Sequence, residues 1–377
     1  MKTIRAWQLA VLLAPAVLIY ALFSALPLLD TLRLGFYTAN DAGVRSFVGL
    51  DNYRTILFDP DWSAAFWNAM WNNVKFFCIH MALQNPIGLL LASLFSLKGL
   101  RGARTYRTLI FLPTLLSVVI IGFIWQLILS PLWGVGEKLL GLVGLADWFA
   151  PWLGQESTAL LTLSLISVWQ YVGIPMMLIY AALLAVPEEV LEAAHAEGAS
   201  GLRIFWQIKL PLIYPTLGLV TILTFVANFN AFDLIYSVKG ALAGPNYASD
   251  LLGTYFYRTF FGYQAQIGSP TMGAAVATLM FLVILAGVIY TNKVTGFFSL
   301  SNHLISVKDP IAKQMMGWRK SCSSTIRVNS QILNRGTPSM ENEMWNVNAQ
   351  VLNGKMSPQD AAAKIQSGFA KWYKPQQ

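Results

Sequence analysis

The chain has 377 residues, of which 55% are hydrophobic and only 12% charged, and its formal net charge at pH 7 is +8. Soluble domains carry about 25% charged residues, so this composition excludes an ordinary soluble protein and indicates a chain largely surrounded by lipid. The positive charge has no accompanying basic and aromatic platform, which argues against a nucleic-acid partner. Two isolated cysteines, Cys78 and Cys322, define neither a disulfide framework nor a metal site.

Six apolar stretches are long enough to cross a membrane as helices, which requires roughly 20 residues. They predict an all-α, polytopic membrane protein with six transmembrane helices, at about residues 9–29, 76–97, 109–129, 158–186, 212–236 and 271–290. The first stretch is longer than the apolar core of a signal peptide, and no convincing small-residue cleavage site follows it. We therefore predict an uncleaved first span.

The second stretch is the least apolar of the six, because His80, Gln84, Asn85 and Pro86 interrupt it. Unpaired polar groups are costly in lipid, so these residues are expected to face the interior of the helix bundle. His80 is interpreted as a hydrogen-bonded interior residue rather than as a proton relay.

Basic residues are distributed unequally between the two sides of the predicted bundle. One side carries Lys2, Arg5, Lys98, Arg101, Arg104, Arg107, Arg203, Lys209, Lys293, Lys308 and Lys313, and the other carries Arg33, Arg45, Arg54, Lys138, Lys239 and Arg258. Cytoplasmic loops are enriched in Lys and Arg. We therefore predict that both termini and the loops 98–108 and 187–211 are cytoplasmic, and that the loops 30–70, 130–157 and 237–270 face outward.

The outward segment 131–154 alternates glycine with apolar residues and tryptophans. Tryptophan is enriched where protein meets the membrane surface. The pattern predicts a short interfacial helix anchored by Trp133, Trp148 and Trp152.

The segment 187–211 lies between the fourth and fifth spans and predicts two short helices on the membrane surface. Pro187 suits the first helical position. Two glutamates lie in the following turn, where the positive end of the helix dipole stabilises negative charge. Gly198 is expected to end this helix, because glycine adopts the left-handed conformation without steric cost. A second helix is predicted over about 202–209, and Pro211 marks the entry to the fifth span.

This segment is similar to the signature loop of the permeases of binding-protein-dependent ABC importers. The resemblance rests on Glu192, Ala193, Ala194 and Gly198, followed after nine residues by Ile208, Leu210 and Pro211, with the spacing of that family throughout. Three further passages resemble its sugar-uptake branch: Val48-Gly49-Leu50-Asp51-Asn52-Tyr53, Phe111-Leu112-Pro113 and Phe229-x-x-Phe232-Asp233. Together the resemblance covers about residues 5–298.

The resemblance implies a type I ABC importer permease in the bacterial inner membrane. It implies partnership with a second permease subunit, two ABC ATPase subunits and an external solute-binding protein, with the 187–211 loop fitting a groove on the ATPase. The sequence has no G-x-x-x-x-G-K-[ST] phosphate loop, so no cofactor is expected in this chain, and ATP is assigned to the partner subunits. The solute is expected to be a carbohydrate, with monosaccharides, disaccharides, oligosaccharides and glycerol phosphate all left open.

Polar residues inside spans are expensive and therefore suggest function. The candidates for the substrate path are Trp169, Gln170 and Tyr171 in the fourth span and Asn228, Asn230 and Asp233 in the fifth. Aromatic rings with amide and carboxylate groups suit sugars, which present apolar ring faces and hydroxyl edges. The alternative is that these groups form hydrogen bonds between helices. Trp125 and Gln126 in the third span are weaker candidates.

Composition changes at about Ser301, from apolar to polar with mixed charge, so we divide the chain into a permease domain, 1–300, and a polar tail, 301–377. The tail predicts a helix over 340–352 and another that begins at Ser357 and extends to about Ala370. Residues 335–373 resemble the carboxyl end of a sugar-binding protein. A fused remnant of a neighbouring gene is the preferred interpretation, and a cytoplasmic regulatory tail is the alternative.

A secondary transporter or channel for a small polar solute is the main alternative for the whole chain. Such proteins use ionisable residues and broken helices within the membrane. The predicted spans contain almost no ionisable residues, which favours the ATP-driven importer.

Overall fold

The computed structural model describes residues 6–39, 44–97, 99–133, 135–264 and 267–295, and residues 347, 350, 356, 357, 359–361, 363 and 364 of the tail. The chain divides into two compact units, residues 1–300 and 301–377. Four helices of the described part are long and apolar enough to cross a membrane, namely Val11–Leu34, Pro60–Phe95, Tyr214–Lys239 and Pro270–Lys293. Two bent pairs add two more candidates if each pair is one span: Ala103–Leu115 with Val118–Ile128, and Glu156–Tyr171 with Gly173–Leu184.

The elements of the first unit follow one another as α-helices, short 3₁₀ or π turns and one hairpin. Up to residue 154 they are Ala6–Tyr20, Ala21–Ala25, Leu26–Leu34, the strands Tyr37–Ala39 and Arg45–Phe47, then Asp51–Phe58, Pro60–Ile79, His80–Gln84, Asn85–Phe95, Ala103–Phe111, Leu112–Leu115, Val118–Ile128, Val135–Gly141, Ala146–Trp148 and Trp152–Gly154. From residue 156 they are Glu156–Tyr171, Gly173–Leu184, Glu188–Ala196, Gly201–Ile204, Phe205–Lys209, Leu210–Leu212, Tyr214–Phe229, Asp233–Lys239, Leu252–Phe261 and Pro270–Thr295.

The prediction of an entirely α-helical chain misses one antiparallel hairpin, in which Tyr37 pairs with Phe47 and Ala39 with Arg45. The passage that resembles the sugar-uptake branch holds this hairpin in place. Asn52 is buried and donates from Nδ2 to the carbonyl oxygens of Gly35 at 2.9 Å and Tyr37 at 2.8 Å. Backbone polar groups near the hairpin are thereby satisfied by one side chain.

Three of the predicted spans differ from the observed helices at their prolines. The helix predicted over 76–97 already begins at Pro60, and it contains the π turn His80–Gln84 just before Pro86. The span predicted over 109–129 is broken near Pro113, where the axis turns by 97°. The span predicted over 158–186 bends by 41° just before Pro175. Proline has no N–H for the helical ladder and clashes with the preceding turn, so helices bend or break there.

Three buried apolar clusters lie in the described part of the chain, and two of them border the site described below. The Phe76 cluster joins Phe76, Ile121, Leu163 and Ile235 with eight further residues. The Met176 cluster consists of Ala92, Phe95, Met176, Ile179, Leu183, Ile213 and Val220. Glycines allow close helix contact beside the second cluster: a Cβ on Gly88 would lie 3.1 Å from Pro175, and a Cβ on Gly173 would lie 2.9 Å from the Phe111 Cα.

The predicted interfacial helix is present as Val135–Gly141. Trp133 and Trp148 are exposed, as membrane anchors would be. Trp152 is half-buried and packs against the Phe76 cluster, with its ring 5.7 Å from that of Phe149. The prediction that Trp152 is a surface anchor is therefore wrong, because its ring contributes to the core.

The described residues of the second unit include the predicted helix start at Ser357. Its Oγ accepts from the Asp360 N–H at 3.1 Å and donates to Asp360 Oδ2 at 2.7 Å, which is a helix-capping arrangement. Within the predicted helix 340–352, Val347 and Gln350 are helical, and the rest of that helix lies outside the described residues.

Candidate functional site

The loop 187–211 forms a projection of two helices, Glu188–Ala196 and Gly201–Ile204, the second continuing through a π turn to Leu212. Pro187 is the residue before the first helix, one position earlier than predicted. The loop residues Glu192, Ala193 and Gly198 are exposed, whereas Ala194 is buried. Exposed small residues beside a carboxylate leave room for close contact with another protein.

The turn between the two helices depends on Gly198, whose φ is +77°. The Ala199 N–H donates to the Ala194 carbonyl at 3.0 Å, and the Gly198 N–H donates to the His195 carbonyl at 2.9 Å. These two bonds form a Schellman ending, which places a left-handed residue at the position of Gly198. Ser200 then caps the second helix, accepting from the Arg203 N–H at 3.4 Å.

The far end of this projection is anchored in the bundle. Leu210 packs against the Met176 cluster, to which Ile213 also belongs, whereas Pro211 is exposed and Ile208 half-buried. Leu202 and Trp206 are exposed large apolar side chains at the free end, with 76% and 61% of their surfaces accessible. Leu210 therefore joins the end of this loop to the Met176 cluster.

A cavity of about 430 Å³ lies between the helices of the bundle. Small-molecule sites span roughly 300–1,000 Å³, so this volume is sufficient for a ligand. Its walls include Phe76, Leu234 and Ile235 of the Phe76 cluster and Val220 of the Met176 cluster. The cavity therefore borders both clusters.

Four of the six predicted substrate-path residues line this cavity, namely Tyr171, Asn228, Asn230 and Asp233. Asn230 and Asp233 flank the break between the helices Tyr214–Phe229 and Asp233–Lys239, and both are exposed. Asn228 is 4% exposed and donates from Nδ2 to the Thr224 carbonyl at 2.7 Å. Its Oδ1 is buried and has no hydrogen-bond partner within the described part of the chain.

The other two predicted residues are not in the walls of this cavity. Gln170 is buried beside the break at Pro113: its Nε2 donates to the Leu116 carbonyl at 3.4 Å, and its backbone carbonyl accepts from Thr114 Oγ1 at 2.8 Å. Its side-chain Oε1 is buried without a partner among the described residues. Trp169 is half-exposed and stacks edge-on with Trp125 at 5.6 Å. Gln126, a weaker candidate, donates to the Val238 carbonyl at 3.1 Å.

The cavity also has polar walls that the substrate prediction missed: His80, Gln84, Ser167 and Thr224. His80 is an interior, hydrogen-bonded residue, as predicted, with Nδ1 2.8 Å from the Phe76 carbonyl and Nε2 3.0 Å from Ser167 Oγ. A sequence signal for these residues exists. Positions 80 and 84, 167 and 171, and 224 and 228 are three polar pairs, each separated by one helical turn and therefore on one helix face.

The segment 240–262, between the last two spans, is held over the bundle by asparagines of the helix Pro60–Ile79. Asn73 is fully buried, donates to the Asn228 carbonyl at 2.8 Å and accepts from the Leu252 N–H at 2.7 Å. Asn72 donates to the carbonyls of Ala248 at 3.2 Å and Asp250 at 3.1 Å.

A buried ion pair organises the same segment. Arg258 Nη1 donates to Asp250 Oδ1 at 2.8 Å, and its Nη2 contacts Oδ2 of the same carboxylate. Thr254 Oγ1 donates to Asp250 Oδ1 at 2.6 Å. Burial raises the pKa of the Asp250 carboxyl, and the Arg258 guanidinium opposes that rise. Burial also raises the pKa of Tyr255, whose ring lies 5.3 Å from the Arg258 guanidinium, to about 12.

Helices of membrane-spanning length around a polar interior cavity are the architecture of a membrane transport permease. Residues 84–294 match the family described as the binding-protein-dependent transport system inner membrane component. The chain belongs to this family.

Relatives with described roles match over most of the chain. The probable ABC transporter permease protein YurN of Bacillus subtilis is 31% identical over 73% of this chain and 91% of that protein. The arabinooligosaccharides transport system permease protein AraP of the same organism is 29% identical, over 76% and 87%. The trehalose/maltose transport system permease protein MalF of Thermococcus litoralis is 26% identical, over 76% and 92%.

A solved structure supports the fold. In the crystal structure of a bacterial ABC transporter involved in the import of the acidic polysaccharide alginate, one chain aligns with a TM-score of 0.64 and 20% identity. The alignment covers 78% of this chain and 96% of that chain. The fold is that of a type I ABC importer permease, as the sequence predicts.

Proposed function

We propose that this chain is a permease subunit of an ATP-driven carbohydrate importer, that it crosses the inner membrane six times, and that both its termini are cytoplasmic. In this arrangement it pairs with a second permease and works with two ATPase subunits and an external binding protein. Family membership and the sugar-transport names of the relatives AraP and MalF support the proposal. The two bent helix pairs bring the number of candidate spans to six.

The observation that carries the substrate assignment is a pair of buried acceptors without partners among the described residues of the cavity wall, Asn228 Oδ1 and Gln84 Oε1. An amide oxygen without a partner costs roughly 1–3 kcal/mol when buried. A hydroxylated solute donates hydrogen bonds, so it satisfies Asn228 Oδ1 on passage. Tyr171, Asn230 and Asp233 supply a ring, an amide and a carboxylate around the same cavity. Trp169 and Gln170 are assigned to helix packing instead.

Coupling to ATP is proposed to run through the 187–211 projection. ATP binding closes the ATPase pair and changes its affinity for the two states of the permease. Glu192, Ala193 and the Gly198 turn present the contact surface, and Leu210 links it to the bundle. The ATP stays on the partner subunits. For the tail, residues 301–377, we retain a fused receptor remnant as the proposal.

The test is ATP-driven uptake of labelled maltose, trehalose and lactose by the complete importer in proteoliposomes. The wild type is expected to accumulate at least one of these sugars only with ATP inside. Asn228→Leu is expected to lower the uptake rate about tenfold, because one hydrogen-bond acceptor is lost from the path.

The matched control is Asn68→Leu, because Asn68 is exposed and outside the cavity, and within the described residues it donates only to the Tyr247 carbonyl, at 3.0 Å. Its uptake should stay near that of the wild type at equal protein levels. Uptake driven by an ion gradient without ATP would instead establish the secondary transporter.

A further inference from the structure

An aromatic row connects the cavity to the exposed surface of the segment between the last two spans. It consists of Phe232, Tyr236, Tyr257 and Phe261, hereafter the aromatic row. The ring centroids of Phe232 and Tyr236 are 4.9 Å apart, those of Tyr236 and Tyr257 are 4.9 Å apart, and those of Tyr257 and Phe261 are 5.1 Å apart. These spacings are those of rings in direct contact.

The row is formed by the helix Leu252–Phe261 and by the start of the helix Asp233–Lys239. Tyr257 and Phe261 are four residues apart on one helix face, and Phe232, the residue before the other helix, stacks on Tyr236 within it. Gly253 allows the helix Leu252–Phe261 to approach residues 231 and 232, since a Cβ there would lie 2.6 Å from the Ala231 carbonyl and 3.0 Å from the Phe232 Cβ. Tyr257, one turn after Gly253, is thereby brought to 5.4 Å from Phe232.

The inner end of the row is part of the cavity. Phe232 lines it together with its neighbours Asn230 and Asp233. A second cavity, of about 470 Å³, is lined by Asn230, Phe232 and Tyr257 among others. Phe232 therefore belongs to the walls of both cavities, and Tyr257 belongs to the wall of the second.

The outer end of the row is open. Phe261 is 64% exposed, and Phe232, Tyr236 and Tyr257 are half-buried. None of the four belongs to the buried apolar clusters of the described part of the chain. The phenol oxygens of Tyr236 and Tyr257 are 3.3 Å apart and give the row a polar edge. Rings with polar edges, leading from the surface to amide and carboxylate groups, match the apolar faces and hydroxyl edges of sugars.

We propose that the aromatic row is a carbohydrate-binding track along which sugar rings pass from the binding-protein side into the cavity. The inference rests on the proposed carbohydrate importer and adds a specific entry route. The faces of the sugar rings stack on the aromatic side chains. The sugar hydroxyls form hydrogen bonds first with the phenol groups and then with Asn230, Asp233 and the unpaired Asn228 Oδ1.

The test compares Tyr257→Leu, Tyr257→Phe and the wild type in the complete importer, with labelled maltose, trehalose and lactose as probes. Tyr257→Leu removes a ring and is expected to lower both uptake rate and equilibrium sugar binding about three- to tenfold. Tyr257→Phe keeps the ring, loses only the contact with the Tyr236 hydroxyl, and should retain most uptake. The control is Tyr290→Leu, an exposed aromatic residue of the helix Pro270–Thr295 outside the row.

The amount of second permease that co-purifies is measured in each variant. Reduced sugar binding with full assembly supports the track. Unchanged uptake and binding in Tyr257→Leu would overturn it, and so would loss of the second permease, which would make the row a subunit contact. If the wild type binds sugar but does not accumulate it with ATP, the proposed importer is refuted. The comparison of sugar binding between Tyr257→Leu and the wild type still tests the track in that case.

Discussion

Gly198→Val is expected to abolish most ATP-driven uptake while the permease still inserts into the membrane at normal levels. Gly198 has a φ of +77°, and a valine there is strained by about 1–2 kcal/mol whatever its surroundings. No atom outside the adjacent residues lies within 4 Å of an added Cβ, so the effect comes from the backbone and not from a clash. The strain shifts the turn toward other conformations by a factor of about 5–30.

The consequence for coupling follows from the position of the turn. The helix Glu188–Ala196 carries Glu192 and Ala193, whereas the helix after the turn leads to Leu210 at the Met176 cluster. A loosened turn separates the contact surface from its anchor. Any ATP hydrolysis that the binding protein still stimulates should therefore no longer be accompanied by sugar accumulation. Immunoblotting of membranes should show normal insertion.

The chain supplies a matched control in the same turn. Gly201 also has no atom within 4 Å of an added Cβ, but its φ is not in the left-handed region. Gly201→Ala should leave uptake near wild-type levels. Gly198→Asn should retain more uptake than Gly198→Val, because asparagine tolerates the left-handed conformation better than other side chains. Equal uptake in Gly198→Val and Gly201→Ala would remove the turn from the mechanism.

Arg258→Met is expected to destabilise the permease by about 3–5 kcal/mol, because it leaves the Asp250 carboxylate buried without its counter-ion. Asp250 is fully buried and Arg258 is 3% exposed, so water does not compensate either charge. Arg258 also donates to the Ala241 carbonyl at 3.2 Å, which links the start of the segment 240–262 to the helix Leu252–Phe261. The predicted readout is a lower unfolding temperature in detergent and a reduced membrane level.

A double-mutant cycle separates the charge effect from the loss of packing. Replacing both members, Asp250→Leu with Arg258→Met, removes the uncompensated charge, and apolar pairs of similar volume are often no less stable than a buried ion pair. The double variant should therefore be more stable than either single variant. Arg54→Met, an exposed residue of the helix Asp51–Phe58, should change the free energy of unfolding by less than about 0.5 kcal/mol. Single variants as stable as Arg54→Met would show that the pair is not structural.

The local structure of the 187–211 loop could be predicted because its signals are local. Glycine at a left-handed helix ending and proline beside a helix start act within a few residues. Both appear where predicted, apart from the shift of Pro187 by one position. The contact of this loop with an ATPase stays a prediction.

The positions of the helix breaks could not be predicted from apolar length alone. The stretches around Pro113 and Pro175 are as apolar as uninterrupted spans, and a backbone group freed by a break can be satisfied by a tertiary contact. At Pro113 such a contact comes from Gln170, which is far away in sequence and donates to the Leu116 carbonyl. Gln170, predicted for the substrate path, lies at this break and outside the walls of the cavity.

The role of Arg258 was hidden for a similar reason. Its sequence position suggests one of the basic residues of the outer surface, yet it is buried against Asp250. Asp250 and Arg258 are eight residues apart, on either side of the start of the helix Leu252–Phe261. Their pairing depends on how the segment 240–262 folds back. The cavity residues at one-turn spacing were, in contrast, available in the sequence as three polar pairs.

The most direct test of coupling through the 187–211 loop is cross-linking from this projection to the ATPase subunit. The complete importer would carry Glu192→Cys in a chain with Cys78→Ser and Cys322→Ser, and a maleimide bearing a photoreactive benzophenone would be attached to the new thiol and illuminated with and without ATP. We expect a product containing this chain and the ATPase, whose yield changes with ATP, and no such product from Arg45→Cys in the hairpin. Cross-linking to the ATPase from Arg45→Cys instead, or labelling of Glu192→Cys by a membrane-impermeant reagent from outside intact cells, would contradict this coupling.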